Sequence, residues 1–301
     1  MHTEGTEPET ASGARGPCFR ILGPLEASVD GARLSLGGAV QERVLSVLLL
    51  EPGRVVPMPR LVEAAWGDDP PATASHQVRK AVSDLRRRIP GDGVISTEGS
   101  GYRITVTAAQ LDLLEFNDRI RAAEQALREE RRPEAAAELE AALALWHGAV
   151  LSGQGGSVIE SAATALEERR LVATEELFEL RLGLGLSSEL VADLRTVVSA
   201  HPLRETFHGQ LMLALYRTGR KAEALNEYAR IREFLADQLG VDPGPPLTRL
   251  YEDILRDEPG LVLPQPPPAL PLLSRSRRET MRSRSSSTTA GSTPCQHGST
   301  A

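Results

Sequence analysis

Between Ala72 and Pro90 the sequence ATASHQVRKAVSDLRRRIP holds five cations and one acid, a local net charge of +4. Guanidinium and ammonium groups at that density bind phosphate, and a bidentate arginine also reads guanine edges. Spacing decides whether they can act together. As a helix, the segment places Val78, Val82, Leu85 and Ile89 on one stripe, at steps of four, three and four. His76, Lys80, Ser83 and Arg87 face the opposite way, with Arg79 and Arg86 flanking one side and Gln77 and Arg88 the other. One face suits a core and the other a polyanion, as a helix laid in a DNA major groove requires. An ordinary amphipathic helix with a solvated basic face has the same pattern, so the flanking elements carry the choice.

Upstream, FRILGPLEA (Phe19 to Ala27) and ARLSL (Ala32 to Leu36) read as short strands joined by a turn at Asp30-Gly31. A helix follows with Val40, Val44, Val47 and Leu48 at helical spacing, ended by Pro52-Gly53. A second short helix has Pro59 in its first turn, Leu61, Val62, Ala65 and Trp66 inward, and Gly67 as its stop. GDDPPAT then leads into the basic helix, with Thr73 or Ser75 available as N-cap. After Pro90, Val94 to Thr97 and Tyr102 to Val106 read as strands of a glycine-containing hairpin. Strands, three helices and a hairpin make a helix-turn-helix with a wing.

LGPLEA, LGG, GRVV, RLVEAAWGDDPPATA, the basic helix and GSGYRI resemble the DNA-binding domain of the Streptomyces antibiotic regulatory protein family. That domain is similar to the output domain of OmpR-type response regulators. The resemblance implies that the third helix enters the major groove and that the wing reaches the adjacent backbone or minor groove. The implied DNA-binding residues are His76, Gln77, Arg79, Lys80, Ser83, Arg86 and Arg87, with Arg103 in the wing. Glu98 departs from the basic or apolar residue many relatives carry there, and a carboxylate repels phosphate, which shifts weight from wing to helix. Asp84, among the arginines, is suited to orienting one of them or to accepting from a cytosine amino group.

From Leu111 to about Leu255 the pattern is helical almost throughout. The expected helices are Leu113 to Arg131, Pro133 to Trp146, Val158 to Gly183, Glu189 to Ala200, Leu203 to Thr218, Lys221 to Leu239 and Pro246 to Arg256. Leu190 and Ala224, like Leu194 and Tyr228, are 34 residues apart, the tetratricopeptide period, and the match fails beyond that. QLDLLEF, ALALWHG, VVSAHPLRE, QLMLALYRTGRKAEAL and LGVDPGPPLTRLYEDIL resemble the bacterial transcriptional activation domain that follows the winged helix in the same family. Trp146, Tyr216, Phe234 and Tyr251 read as core aromatics in preference to a peptide groove. His147, His201 and His208 lack metal-ligand spacing and read as cap or surface residues. Glu167-Glu168 and Glu175-Glu176 read as a solvated helix face, and Asp242-Pro243-Gly244 as a structural turn.

The fold class expected is therefore mainly α with a small β component, a winged helix-turn-helix domain followed by an all-α tetratricopeptide-like domain. The expected domains are 18–107 and 108–257, between a disordered 1–17 and a disordered Pro/Ser/Arg-rich tail, 258–301. The formal charge of −7 divides as −2, +1, −9 and +3 over 1–17, 18–107, 108–257 and 258–301. DNA affinity follows local phosphate contacts, so an acidic middle facing away from a duplex is compatible with it. Two cysteines, no signal peptide and no long apolar run lead to the expectation of a cytoplasmic protein without membrane contact. No P-loop, GxGxxG, GxSxG or zinc motif occurs, and no cofactor, metal or catalytic residue is expected. Neither a receiver domain nor an appended ATPase module is expected. The resemblance implies an activator of antibiotic biosynthetic genes that binds direct repeats in double-stranded promoter DNA, pairs on DNA and contacts RNA polymerase holoenzyme. A repressor, or a helical-repeat adaptor whose winged helix serves protein contacts, is the alternative.

Overall fold

In the computed structural model, which describes residues 16–91 and 93–262, the first elements are β1 (Cys18–Arg20), β2 (Glu26–Val29) and β3 (Ala32–Arg33). They form an antiparallel sheet in that order. The turn at Asp30-Gly31 is as expected, both residues having positive φ (50° and 82°). Phe19 to Ala27 is not one strand: it folds back so that Phe19 pairs with Ala27. The corner forms because the amides of Ile21 and Leu22 donate to the Asp112 carboxylate at 2.9–3.0 Å rather than to a strand, and Pro24 has no amide to offer.

The helices α1 (Ala39–Leu50), α2 (Met58–Trp66) and α3 (Ala74–Arg88) follow, with β4 (Val55–Pro57) inserted between the first two. Strand β4 escapes a periodicity reading because three residues show no pattern. Gln41 reaches back to the Gly38 amide at the start of α1, and Gly67 (φ 67°) stops α2. The hairpin of β5 (Ile95–Glu98) and β6 (Gly101–Ile104) joins β4 in the order β4-β6-β5.

Helices α4 (Asp112–Arg128), α5 (Arg132–Leu143), α6 (Ser157–Gly183), α7 (Ser187–Ala200), α8 (Glu205–Arg217), α9 (Lys221–Leu239) and α10 (Pro245–Arg256) complete the described chain with a short 3-10 turn, Pro259–Leu261. All agree with the sequence reading within a turn. The positions 34 residues apart match in environment as well: Leu190 and Ala224 are both fully buried, and Leu194 and Tyr228 both lie in the core. None of these helices is long and apolar enough to cross a membrane. Of the segments expected to be disordered, 1–17 and 258–301, residues 1–15 and 263–301 lie outside the described residues. The start of the tail, however, is ordered: Pro259–Leu261 form the 3-10 turn, and Leu261 packs on the second core and accepts from Arg217.

Two cores hold these elements. The first joins Leu48, Leu85 and Ile104 of the winged helix to Phe116, Leu139 and Ile159 of α4 to α6. The second runs from Phe178 through Leu194, Phe207 and Ile231 to Ile254. Helix α6, about 40 Å long, contributes to both. Trp146 is 8% exposed and meets Phe116 edge-on at 5.4 Å, while Tyr251 stacks on Tyr228 at 4.1 Å, as core aromatics do.

Two further readings change. His208 is not a surface residue: it is 3% exposed, with Nδ1 2.7 Å from Glu227 Oε1 and Nε2 3.0 Å from Pro202 O. Nor are the acidic pairs of α6 simply solvated. Arg204 binds Glu168 and Glu175, and Glu167 accepts from the Val150 amide. These partners lie 17 to 36 residues away, beyond the reach of a local pattern.

Candidate nucleic-acid interface

Helix α3 owes its orientation to its apolar face. Ala74, Val78, Ala81, Val82 and Leu85 are buried, as is Ile89 just past its end. Truncating the fully buried Leu85 to alanine costs roughly 2–5 kcal/mol, so the opposite face is held outward by a strong constraint. Thr73 occupies the N-cap position, yet its hydroxyl makes no bond to a helix amide. It accepts instead from Gln77 Nε2 at 3.0 Å, which holds Gln77 back along the helix.

The basic residues of α3 divide into two sets. His76, Arg79, Lys80 and Ser83 are exposed and have no side-chain hydrogen-bond or ion-pair partner among the described residues. Their donors are available to a ligand. The remaining cations are held by the protein. Arg86 donates from Nε to Ile95 O and from Nη2 to Thr97 Oγ1, both at 2.8 Å, and lies 5.7 Å over the Tyr102 ring. One guanidinium thus ties α3 to both strands of the hairpin. Arg88 donates to Ser35 O at 3.1 Å.

Arg87 pairs with Asp84 one turn earlier but remains 76% exposed. The hydrogen bond from Arg87 holds the Asp84 carboxyl below its ordinary range, helped by Gln41 and Lys80 and opposed by partial burial. Gln41 Nε2 of α1 donates to the other carboxylate oxygen at 3.3 Å. Asp84 therefore orients Arg87 on the exposed face.

The wing is built by close backbone approach. Gly101 pairs with Pro57 of β4, and a Cβ on Gly101 would stand 2.4 Å from Val56 O. On β6, Arg103 is half-exposed and bonds Glu98 at 2.6 Å. The carboxylate noted in the sequence thus neutralises the cation that the wing offers. Sequence reasoning missed the tie between Arg86 and the hairpin and the place of Gln41, since neither leaves a local signal. It also missed Asp112, buried at the start of α4, whose carboxyl is pushed up by burial against the opposing pull of the Leu22, Ile21 and Leu113 amides. Among the described residues no grouping of His, Cys, Asp and Glu could hold a metal ion.

This geometry has counterparts in known proteins. Residues 38–104 match the family model "Transcriptional regulatory protein, C terminal", and residues 111–255 match "Bacterial transcriptional activator domain". The chain is 40% identical to regulatory protein AfsR of Streptomyces griseus over 262 residues, covering 87% of this chain and 26% of that protein. It is 34% identical to regulatory protein DnrI of Streptomyces peucetius, covering 81% of this chain and 93% of that one. The chain thus spans about a quarter of the AfsR length and nearly all of DnrI. Among solved structures, Mycobacterium tuberculosis EmbR in complex with a low affinity phosphopeptide superposes with a TM-score of 0.78 at 34% identity, covering 81% of this chain and 66% of that one.

Proposed function

The chain belongs to the Streptomyces antibiotic regulatory protein family, and from that premise we propose that it activates transcription of secondary-metabolite biosynthetic genes by reading promoter DNA through α3. The observation that carries this reading is the exposed set His76, Arg79, Lys80 and Ser83, without partners among the described residues, opposite a fully buried stripe. Arg87, oriented by Asp84, extends the set at the C-terminal end of the helix. Gln77, half-exposed and bonded to Thr73, adds an amide at the N-terminal end. Arg103 contributes less, because Glu98 already pairs with it.

In this proposal Arg86 supports the interface without reading it, by fixing the hairpin against α3. Two copies on direct repeats place their α3 helices on one face of the duplex when the repeats are spaced near a whole turn, about 10–10.5 bp. The helical half then holds the copies in register or contacts RNA polymerase. Its acidic net charge keeps it off the phosphates.

The test is titration of the full chain against DNA from upstream of its neighbouring biosynthetic genes, at two salt concentrations with random-sequence competitor. Binding that survives competitor and weakens with salt is expected. Loss of a base-contacting arginine costs about 1–3 kcal/mol at one base position, whereas loss of a phosphate contact weakens all sequences alike. Unchanged promoter affinity in both Lys80→Ala and Arg87→Ala would sink the assignment of α3.

A further inference from the structure

Two polar details of the helical half have no use in DNA contact. On α6, Glu176 and Glu179 lie one turn apart, and Glu124 of α4 is close enough to act on Glu176. Burial, reinforced by repulsion from Glu124 and Glu179, pushes the Glu176 carboxyl above its ordinary range. None of the three carboxylates has a hydrogen-bond or ion-pair partner among the described residues. On α8, Gln210 is 9% exposed and donates to Glu175 O at 2.8 Å, while its Oε1 is buried with no partner among the described residues.

Glu176, Glu179 and Gln210 line one groove of about 860 Å³, formed by α6, α8 and α10. Its size falls in the range of ligand-binding clefts, about 300–1,000 Å³. Residues of α8 from Glu205 to Arg217 run along it, a path of about 18 Å. That length accommodates about three turns of helix or five to six residues of extended chain. Leu213, Leu247 and Leu250 supply apolar surface. Gly209 sits among them: a Cβ there would meet Leu247 and Leu250 at 3.5 and 3.6 Å, ordinary contact. The fold therefore does not require glycine, and a glycine inside a helix is less favourable than alanine. Gly209 lines the groove where α8 meets Leu247 and Leu250 of α10, so a methyl added there narrows it. The groove's own cations leave the carboxylates unanswered. Arg217 donates to Leu261 O and Leu182 O, and Arg132 makes no ion pair among the described residues.

We propose that this groove docks a peptide segment of a protein partner carrying an arginine or lysine beside leucine-type side chains. The cation lies against Glu176 and Glu179, where it relieves like-charge repulsion, and the apolar side chains pack over Gly209 and Leu213. The proposal is independent of the DNA reading, because no groove residue belongs to α3 or the wing.

The full chain is panned against a phage-displayed library of random dodecamers, and the consensus peptide is titrated by fluorescence anisotropy. Enrichment of Arg or Lys together with Leu, Ile or Met is expected. Affinity for that peptide falls about tenfold or more in the Glu176→Lys, Glu179→Lys double variant, since a compensated charge pair becomes a repulsive one. Gly209→Ala, whose Cβ has room, weakens the peptide without lowering the melting temperature, which separates groove filling from misfolding. DNA affinity at moderate salt stays at the wild-type level in both. Failure to enrich any consensus, a consensus without basic residues, or affinity unchanged in both variants overturns the proposal.

Discussion

Arg86→Ala removes a guanidinium that makes two 2.8 Å hydrogen bonds to the β5 strand and lies over Tyr102 of β6. Each bond reaches the half-solvated side of the hairpin, so each contributes about 0.5–1.5 kcal/mol net, and the ring contact adds about 0.5–1 kcal/mol. The contributions share one group and do not sum fully, which leaves an expected destabilisation of about 1–2 kcal/mol. Urea unfolding reads this as a lower midpoint with an unchanged m-value. For DNA, the loosened wing weakens promoter and random sequence alike, while the slope of log K against log salt is unchanged because no phosphate contact has gone. Lys80→Ala gives the opposite pattern, stability within about 0.5 kcal/mol of wild type and a slope shallower by about 0.9. Arg86→Lys keeps the charge but not the fork, and follows alanine in stability. The reasoning is refuted if Arg86→Ala leaves the unfolding midpoint in place and flattens the salt slope by about one unit, for Arg86 would then be a phosphate ligand.

Three other perturbations test the structure. Asp112→Ala strands the buried amides of Ile21 and Leu22, each worth about 1–3 kcal/mol when unsatisfied; a melting temperature within a degree of wild type would show that the corner does not depend on the carboxylate. Glu227 is pulled toward a higher pKa by burial, but hydrogen bonds from His208 and Arg230 win and hold it below 4.5. Its ionisation therefore favours the folded state above pH 4.5, and that contribution fades as pH falls through the lowered value. The stability gap between wild type and Glu227→Gln should close on acidification, and a gap independent of pH contradicts the pairing. Gly101→Ala drives a Cβ toward Val56 O, costing roughly 1–3 kcal/mol by overpacking and weakening DNA through the wing; an unshifted thermal transition would rule out that close approach.

What the sequence determined is whatever depends on near neighbours. The stripe Val78, Val82, Leu85 and Ile89 is legible because helical geometry repeats every 3.6 residues, and all four side chains are buried. The same holds for α4 to α10, whose breaks fall at glycines and prolines, and for the 34-residue echo of Leu190 in Ala224. Turn chemistry at Asp30-Gly31 and at the wing was legible for the same reason. Tertiary structure alone decided which polar groups are engaged. Arg79 and Arg86 look equivalent on the helix, yet β5 passes within reach of one guanidinium and not the other. The split of β1 from β2 depends on Asp112, 91 residues from Ile21, and the burial of His208 depends on a carboxylate 19 residues away. Periodicity reports which face of an element turns inward, because burial is a property of the whole face. It carries no information on which partner arrives there, because a hydrogen bond is set by the meeting of two segments whose separation along the chain leaves no mark in either.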